Sequence, residues 1–562
     1  MKKAFVVLVI ALTFVGMVLS PVSVLSAHAA SQTSINTAIR NGLAYLALIQ
    51  NKTDGSWNET ATGSYPYATP VANTAMAVLA FENNGHYGWN ASDSYHTTVQ
   101  MGLNYLFSQG QNMSLSNWPT VCAGSPYVGE AKKGAYWSDT TEDDGPVPCY
   151  VTPMVLMAII ASNAPKNVTG PGPLGDITYE ALANETVSWI AYAQNSNATY
   201  MTITWGASYT QQFLGGWRYI AQSGDSDNSV SGWPVVGLLA AELWRISPPN
   251  WVGKELAHWT NTDQNMTGTP STNPDYGAFG YMSPEPDTIN AYGILGGVSE
   301  TAEGILELTY CGYSSTYANI TAAEGYLYSD WYVYINQNYW QVNMGSLYSM
   351  YGVMKAMRET MPTPTKFITN YYDNASYEWY NGTGQYADAL VANQNASGMW
   401  INWKNWREST PGYETYATSL TTALGILILL PAPVVVHYTL RVTVDDDTAI
   451  PHVPIVGATV SIVGPQTLSG STNLAGQIAF NGILAGGYSI TTSMPGYITN
   501  TTSITLNNNY NLTVSLLRVP SVGGISIATG IGILASYIGL VSAFAVAAVA
   551  TAVCVRRVKR RK

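Results

Sequence analysis

Acidic side chains gather just ahead of apolar stretches in this sequence. Asp139, Glu142, Asp143 and Asp144 precede one such stretch and Asp225 and Asp227 a second, Glu300 and Glu303 open a third, and Glu414 precedes a fourth. Carboxylates collected from separate segments can hold a cation, and a pair of them can hydrolyse a glycosidic bond as general acid and as base or nucleophile. At helix starts the same residues cap free N–H groups and oppose the helix dipole, so both roles stay open. Asp143, Asp144, Asp227, Glu300 and Glu414 are the candidate catalytic residues. Trp137, Trp217, Tyr219 and Trp233 stand beside them as candidate ligand contacts, with Trp205 and Tyr281 in the same neighbourhood. Aromatic faces stack on sugar rings while amides and carboxylates bond the hydroxyls, although Trp in a helical array also serves as core filling.

Other chemistries lack their residues. His86, His96, His258, His437 and His452 are scattered without the HExxH spacing, and no G-x-S-x-G elbow, Walker loop or dinucleotide fingerprint falls in a fitting context. Neither a metal nor a cofactor is expected. Acidic residues outnumber basic ones, 34 to 23, which argues against nucleic-acid binding.

The elements that must position these residues are helices. From Ile35 to Leu430 about twelve apolar segments recur at helical spacing, near 35–50, 69–84, 95–109, 150–163, 178–194, 229–246, 249–264, 298–312, 317–331, 343–359, 383–394 and 415–430. Even-numbered segments are small and apolar and suit an inner ring; odd-numbered ones are amphipathic and end in aromatic turns. Six such hairpins would close a double ring and bring the acidic approaches to one mouth.

Two turns share a pattern. Gln50, Gly55 and Trp57 end the first segment, and Gln394, Gly398 and Trp400 end the eleventh. This resembles the QW repeat of the squalene cyclase and protein prenyltransferase superfamily, which implies an α/α toroid over residues 31–430. Within it, Gly215-Gly216-Trp217 followed by Asp227, Ser229 and Trp233 resembles the prenyltransferase loop and inner-helix start, with Asp227 on the zinc-ligating Asp. Ser229 stands where that family carries Cys, and Glu414 to Thr418 offers no His, so a zinc site is not assembled. Thr141-Glu142-Asp143-Asp144 lacks the first Asp of the cyclase Asp-x-Asp-Asp motif.

After Pro431-Ala432-Pro433 the apolar period changes from helical spacing to strict alternation. The stretch 434–519 resembles the carboxypeptidase regulatory-like, prealbumin-like domain through Gly457-Ala458, Asn473-Leu474-Ala475-Gly476, Gly486-Gly487-Tyr488 and Pro495-Gly496-Tyr497, implying an antiparallel β-sandwich spacer. Residues 1–29 read as a secretory signal peptide and 525–555 as a transmembrane helix, with a basic cytosolic tail at 556–562. The expected fold class is therefore multidomain: α/α toroid, β-sandwich and single transmembrane helix.

The expected setting is a single-pass cell-membrane protein with its body outside, partnered by the membrane and by extracellular carbohydrate or a surface protein. Asn51, Asn58, Asn90, Asn112, Asn167, Asn184, Asn197, Asn265, Asn319, Asn374, Asn381, Asn395, Asn500 and Asn511 each open an Asn-x-Ser/Thr sequon. Cys122 and Cys149 flank one long loop and could pair in an oxidising compartment. Three functions stay open: a ligand-binding or structural glycoprotein, a polysaccharide-acting ectoenzyme, and a terpenoid cyclase or prenyltransferase.

Overall fold

The computed structural model describes residues 29–59, 69–115, 133–141, 145–170, 172–195, 213–282, 297–332, 343–402, 417–429, 437–448, 452–464, 466–484, 486–506 and 510–519. Twelve α-helices lie among the described residues: α1 (Gln32–Ile49), α2 (Pro70–Asn83), α3 (His96–Gln109), α4 (Pro148–Ala161), α5 (Tyr179–Ala193), α6 (Asn228–Ala241), α7 (Trp251–Asp263), α8 (Val298–Tyr310), α9 (Ala318–Asp330), α10 (Leu347–Glu359), α11 (Tyr386–Asn393) and α12 (Thr418–Leu429). Three short antiparallel hairpins decorate them: β1 (Gln111–Ser114) with β2 (Lys133–Tyr136), β3 (Thr140–Thr141) with β4 (Gly145–Pro146), and β5 (Phe367–Thr369) with β6 (Ser376–Glu378).

The even-numbered helices form a closed inner ring. α2 packs on α4, α4 on α6, α6 on α8, α8 on α10, α10 on α12, and α12 returns to α2. Each is covered on nearly all sides, which is why α2 runs buried from Val71 to Glu82 and α12 from Thr421 to Leu429. The odd-numbered helices lie outside and bury one stripe, as in α1 through Ile35, Ile39, Leu43 and Leu46.

One device, repeated four times, links successive outer helices. Gln50, Gln194, Gln264 and Gln394 each end an outer helix, and each side-chain amide donates twice. One bond closes the following turn, to Gly55, Gly215, Gly277 or Gly398 carbonyl oxygens. The other reaches the next outer helix, to Thr98, Val252, Asn319 or Ala38. The glycine must have positive φ and no side chain. At Gly398 φ is +93° and a Cβ would sit 2.4 Å from the Asn41 carbonyl oxygen.

The aromatic residue two positions after each glycine locks its turn inward, and Trp137 does the same in the segment that follows α3. The indole N–H groups of Trp57, Trp137, Trp217 and Trp400 donate to Leu46, Leu106, Ile190 and Leu390 of their own outer helix. Their backbone N–H groups donate to Thr74, Thr152, Ser231 and Thr422 on the next inner helix, and Phe279 donates likewise to Thr301. Every such tryptophan is therefore satisfied at its polar atom and buried at its rings.

Two sheets enclose a second core. One has strand order β10 (Thr467–Ser471), β9 (Thr459–Val463), β12 (Gly486–Ser493), β13 (Asn500–Leu506). The other runs β11 (Gln477–Leu484), β7 (His437–Asp446), β14 (Tyr510–Leu516), with β8 (Val453–Pro454) on the end of β7. Alternate residues Leu440, Val442 and Val444 meet Val460, Ile462, Ile490 and Val514 between them. β14 lies parallel to β7, which corrects the expectation of a wholly antiparallel sandwich.

The expected membrane span has no counterpart among the described residues. No helix among the described residues is long and apolar enough to cross a membrane. The longest described, α1, has 18 residues and carries Arg40 on a polar face, against the roughly 20 apolar residues a span requires. The expected fold class is corrected, for the described residues, to helices and sheets with no transmembrane helix, and nothing among them supports the single-pass membrane placement. Segments 1–28 and 520–562, on which the signal peptide, anchor and basic tail were read, lie outside the described residues.

Candidate ligand-binding site on the ring axis

The acids at the inner-helix entrances are occupied by backbone. Asp139 accepts from the Val71 and Ala72 N–H groups and so caps α2 from a neighbouring loop. Glu59 does the same for α12 through the Ser419 N–H. Asp227 is the N-cap of α6, accepting from the Val230 N–H at 2.8 Å and the Ser229 hydroxyl at 2.8 Å. It also receives the Arg218 guanidinium at 2.6 Å. Burial lifts the Asp227 carboxyl to about 6 while Arg218 pulls the other way, so the pair is charged at neutral pH. Arg218 lies over the rings of Tyr219 and Tyr281, whose hydroxyls are 2.9 Å apart. At this pole the polar groups answer one another.

Behind that rim lies a file of buried acids. Glu300, Glu303 and Glu307 occupy one stripe of α8, all buried, and Asp263 of α7 lies within electrostatic reach of Glu307 and Glu300. Glu303 accepts from Tyr348, Glu300 from Ser299, and neither Glu307 oxygen has a hydrogen-bond partner. Burial raises the Glu300 carboxyl to about 7 and pushes Glu303, Glu307 and Asp263 well up, so they hold protons more readily than exposed acids. No group of three or more metal-binding side chains occurs among the described residues.

An open space lies at the opposite pole. The last turns of five inner helices surround a cavity of about 340 Å³, small but within the range of ligand pockets. α2 supplies Leu79 and Glu82, α4 Met157 and Ile160, α6 Leu239, α10 Tyr351, Met354, Lys355 and Glu359, and α12 Leu427. Trp244, just past α6, and Tyr87, past α2, complete the rim with Leu243, which is 47% exposed. The wall is chiefly aliphatic and aromatic. Its charges are the Lys355–Glu359 pair, 3.1 Å apart, and Glu82. Deeper along the axis, a narrow space of about 20 Å³ is bordered by Trp233, Tyr348, Glu303 and again Tyr351 and Lys355.

The sequence candidates therefore divide. Asp143, Asp144 and Glu414 lie outside the described residues. Asp227 and Glu300 are at the entry pole and line neither space. Trp137 and Trp217 are fully buried turn staples, which removes them as ligand surfaces. Tyr219 belongs to the Arg218 cluster. Trp233 alone of the four borders an interior space, stacked on Tyr351 at 5.7 Å.

Asn265 is buried and holds a turn by accepting from the Thr267 N–H. Cys149 is buried, and Cys122 lies outside the described residues.

Glu82, Lys355 and Glu359 escaped the sequence reading. The available signal was a charge inside an otherwise apolar inner helix.

No family model matches the chain, and no curated protein does. Solved structures do. The type II terpene cyclase MstE from Scytonema is similar at 11% identity and a TM-score of 0.35, covering 72% of this chain and 99% of that one. The family 15 glucoamylase from Hypocrea jecorina is similar at 10% identity and 0.28, over 86% and 99%. The Bacillus anthracis TIE protein is similar at 13% identity and 0.13 over 15% of this chain, which spans 17% of that protein's length. Likenesses of this size carry no argument about the chemistry of this chain.

Proposed function

We propose that the helical ring is a binding protein that holds a small ligand with an apolar body in its axial cavity. The observation that carries this reading is the cavity itself: five inner helices wall it, its lining is mostly Leu, Met, Ile and aromatic carbon, and it opens past Leu243. Burial of an alkyl or alicyclic body there contributes roughly 25 cal/mol per Å² of apolar surface removed from water. Carbohydrate, the ligand expected from the rim aromatics, is less well served, because Trp137 and Trp217 are inside the turns and the rim acids are capping helices.

Calorimetric titration of the full chain with 1-octanol, and separately with a panel of oligosaccharides, tests the reading. Saturable octanol binding that disappears in Leu239→Trp, a variant that fills the cavity, supports it. Absence of octanol binding overturns it, as does oligosaccharide binding that survives Leu239→Trp.

A further inference from the structure

We propose that the axial cavity selects a protonated amine: its ligand is an organic ammonium on an apolar body, with Glu82 as the counter-ion. The inference rests on the binding reading above and adds the chemistry of the ligand's polar end.

Glu82 is the group that demands a partner. It is 2% exposed, lines the cavity, and neither of its carboxyl oxygens has a hydrogen-bond partner. A buried carboxyl left in that condition costs free energy that a donor on a ligand would recover. The other charges do not supply that donor. Lys355 is held by Glu359 Oε1 at 3.1 Å, and Glu359 Oε2 is itself without a partner. Glu82 and Glu359 thus bring two carboxyls to the residues lining the space, against one lysine.

The backbone pushes the same way. α2, α4, α6, α10 and α12 all present their C-terminal turns to this cavity. A helix C-terminus carries partial negative charge and favours a cation. Tyr351, Tyr87 and Trp244 add aromatic faces, which attract ammonium groups and repel anions. Tyr179 of α5 also lies within electrostatic reach of Glu82, and burial raises its phenol.

Burial pushes the Glu82 carboxyl well up, so without a cationic neighbour it keeps its proton. When an ammonium enters, the carboxyl ionises and its proton leaves for solvent; the ligand keeps its own. Charge balances as one ammonium paired with one carboxylate and one proton released.

The test compares octylammonium, 1-octanol and octyl sulfate on the full chain by calorimetry at pH 7, in two buffers of different ionisation enthalpy. Octylammonium should bind at least tenfold more tightly than octanol and release up to one proton, with octanol releasing none and octyl sulfate binding weakest. In Glu82→Gln the preference for octylammonium over octanol should vanish, and a preference that survives overturns the role of Glu82. Proton release is read on the unaltered protein, so the proposal stays testable should that variant fail to fold. Equal binding of all three, with no proton released, sinks the ammonium proposal and leaves the cavity reading standing. Binding of none sinks both.

Discussion

The Gln394 side-chain amide donates to the Ala38 carbonyl oxygen at 2.8 Å, across 356 positions of sequence. That bond joins the last outer helix to the first. Inside it, α12 packs on α2, so both rings close on themselves. A closed ring fixes the inner helices on every side, and the cavity at their C-terminal pole inherits that rigidity.

Closure should be measurable as stability. Gln394→Ala removes two bonds to buried carbonyls and is expected to cost on the order of 1–3 kcal/mol. Gly398→Ala should cost at least as much, because the new Cβ meets the Asn41 carbonyl at 2.4 Å as well as requiring positive φ. Gly384→Ala is the control, with positive φ and nothing within 4 Å of the added carbon. All 17 Trp lie before residue 407, so urea unfolding followed by tryptophan fluorescence reports the helical body alone. Equal losses at 384 and 398 would remove the case for the turn contact.

Asp227→Asn separates the entry pole from the cavity. Asparagine caps helices as well as aspartate, so α6 should keep its start. The Arg218 guanidinium, however, is left with Asp225 at 3.6 Å as its remaining carboxylate. A loss on the order of 3 kcal/mol is expected from breaking the buried pair. Ligand affinity should stay within about twofold, since the pair lies at the pole away from the cavity and the two sites share no partners. A large loss of affinity without loss of stability would return Asp227 to the candidate site.

The buried acids give stability a direction with pH. Burial raises Glu300 and Glu324 to about 7 and Asp139 to about 6, above the unfolded carboxyl range near 4. A raised folded pKa means the folded chain binds more protons, so their contribution is fully present below about pH 4 and is lost as pH rises through 6 to 7. The urea midpoint of the helical body should therefore fall between pH 5 and pH 8 on account of these groups. Glu307→Gln, at a carboxyl with neither oxygen partnered, should raise the midpoint at pH 8 relative to the unaltered chain and leave it unchanged at pH 4. A midpoint that climbs steadily toward pH 8 would contradict the neutral state of this file.

Much of the helical body was legible from spacing, because an inner helix must be apolar all round and an outer one amphipathic. The turns at Gln50 and Gln394 were visible since Gln, Gly and Trp fall within eight residues. Those at Gln194 and Gln264 were not. Twenty residues separate Gln194 from Gly215, and Phe279 replaces the tryptophan of the other. The acids were legible as helix-entry residues, yet only coordinates distinguish an oxygen spent on a backbone N–H from one free for a ligand. Glu82 was missed for the converse reason: one acid in an apolar run signals nothing until both its oxygens prove unpartnered.

The most direct test of the central claim is photoaffinity labelling of the full chain with an octyl amine bearing a diazirine on its alkyl end, mapped by mass spectrometry. Cross-links concentrated on Met157, Leu239, Met354 and Leu427, and competed away by octylammonium, are the expected result. Labelling confined to the entry pole around Tyr219 and Tyr281, or spread over the surface without competition, would contradict it.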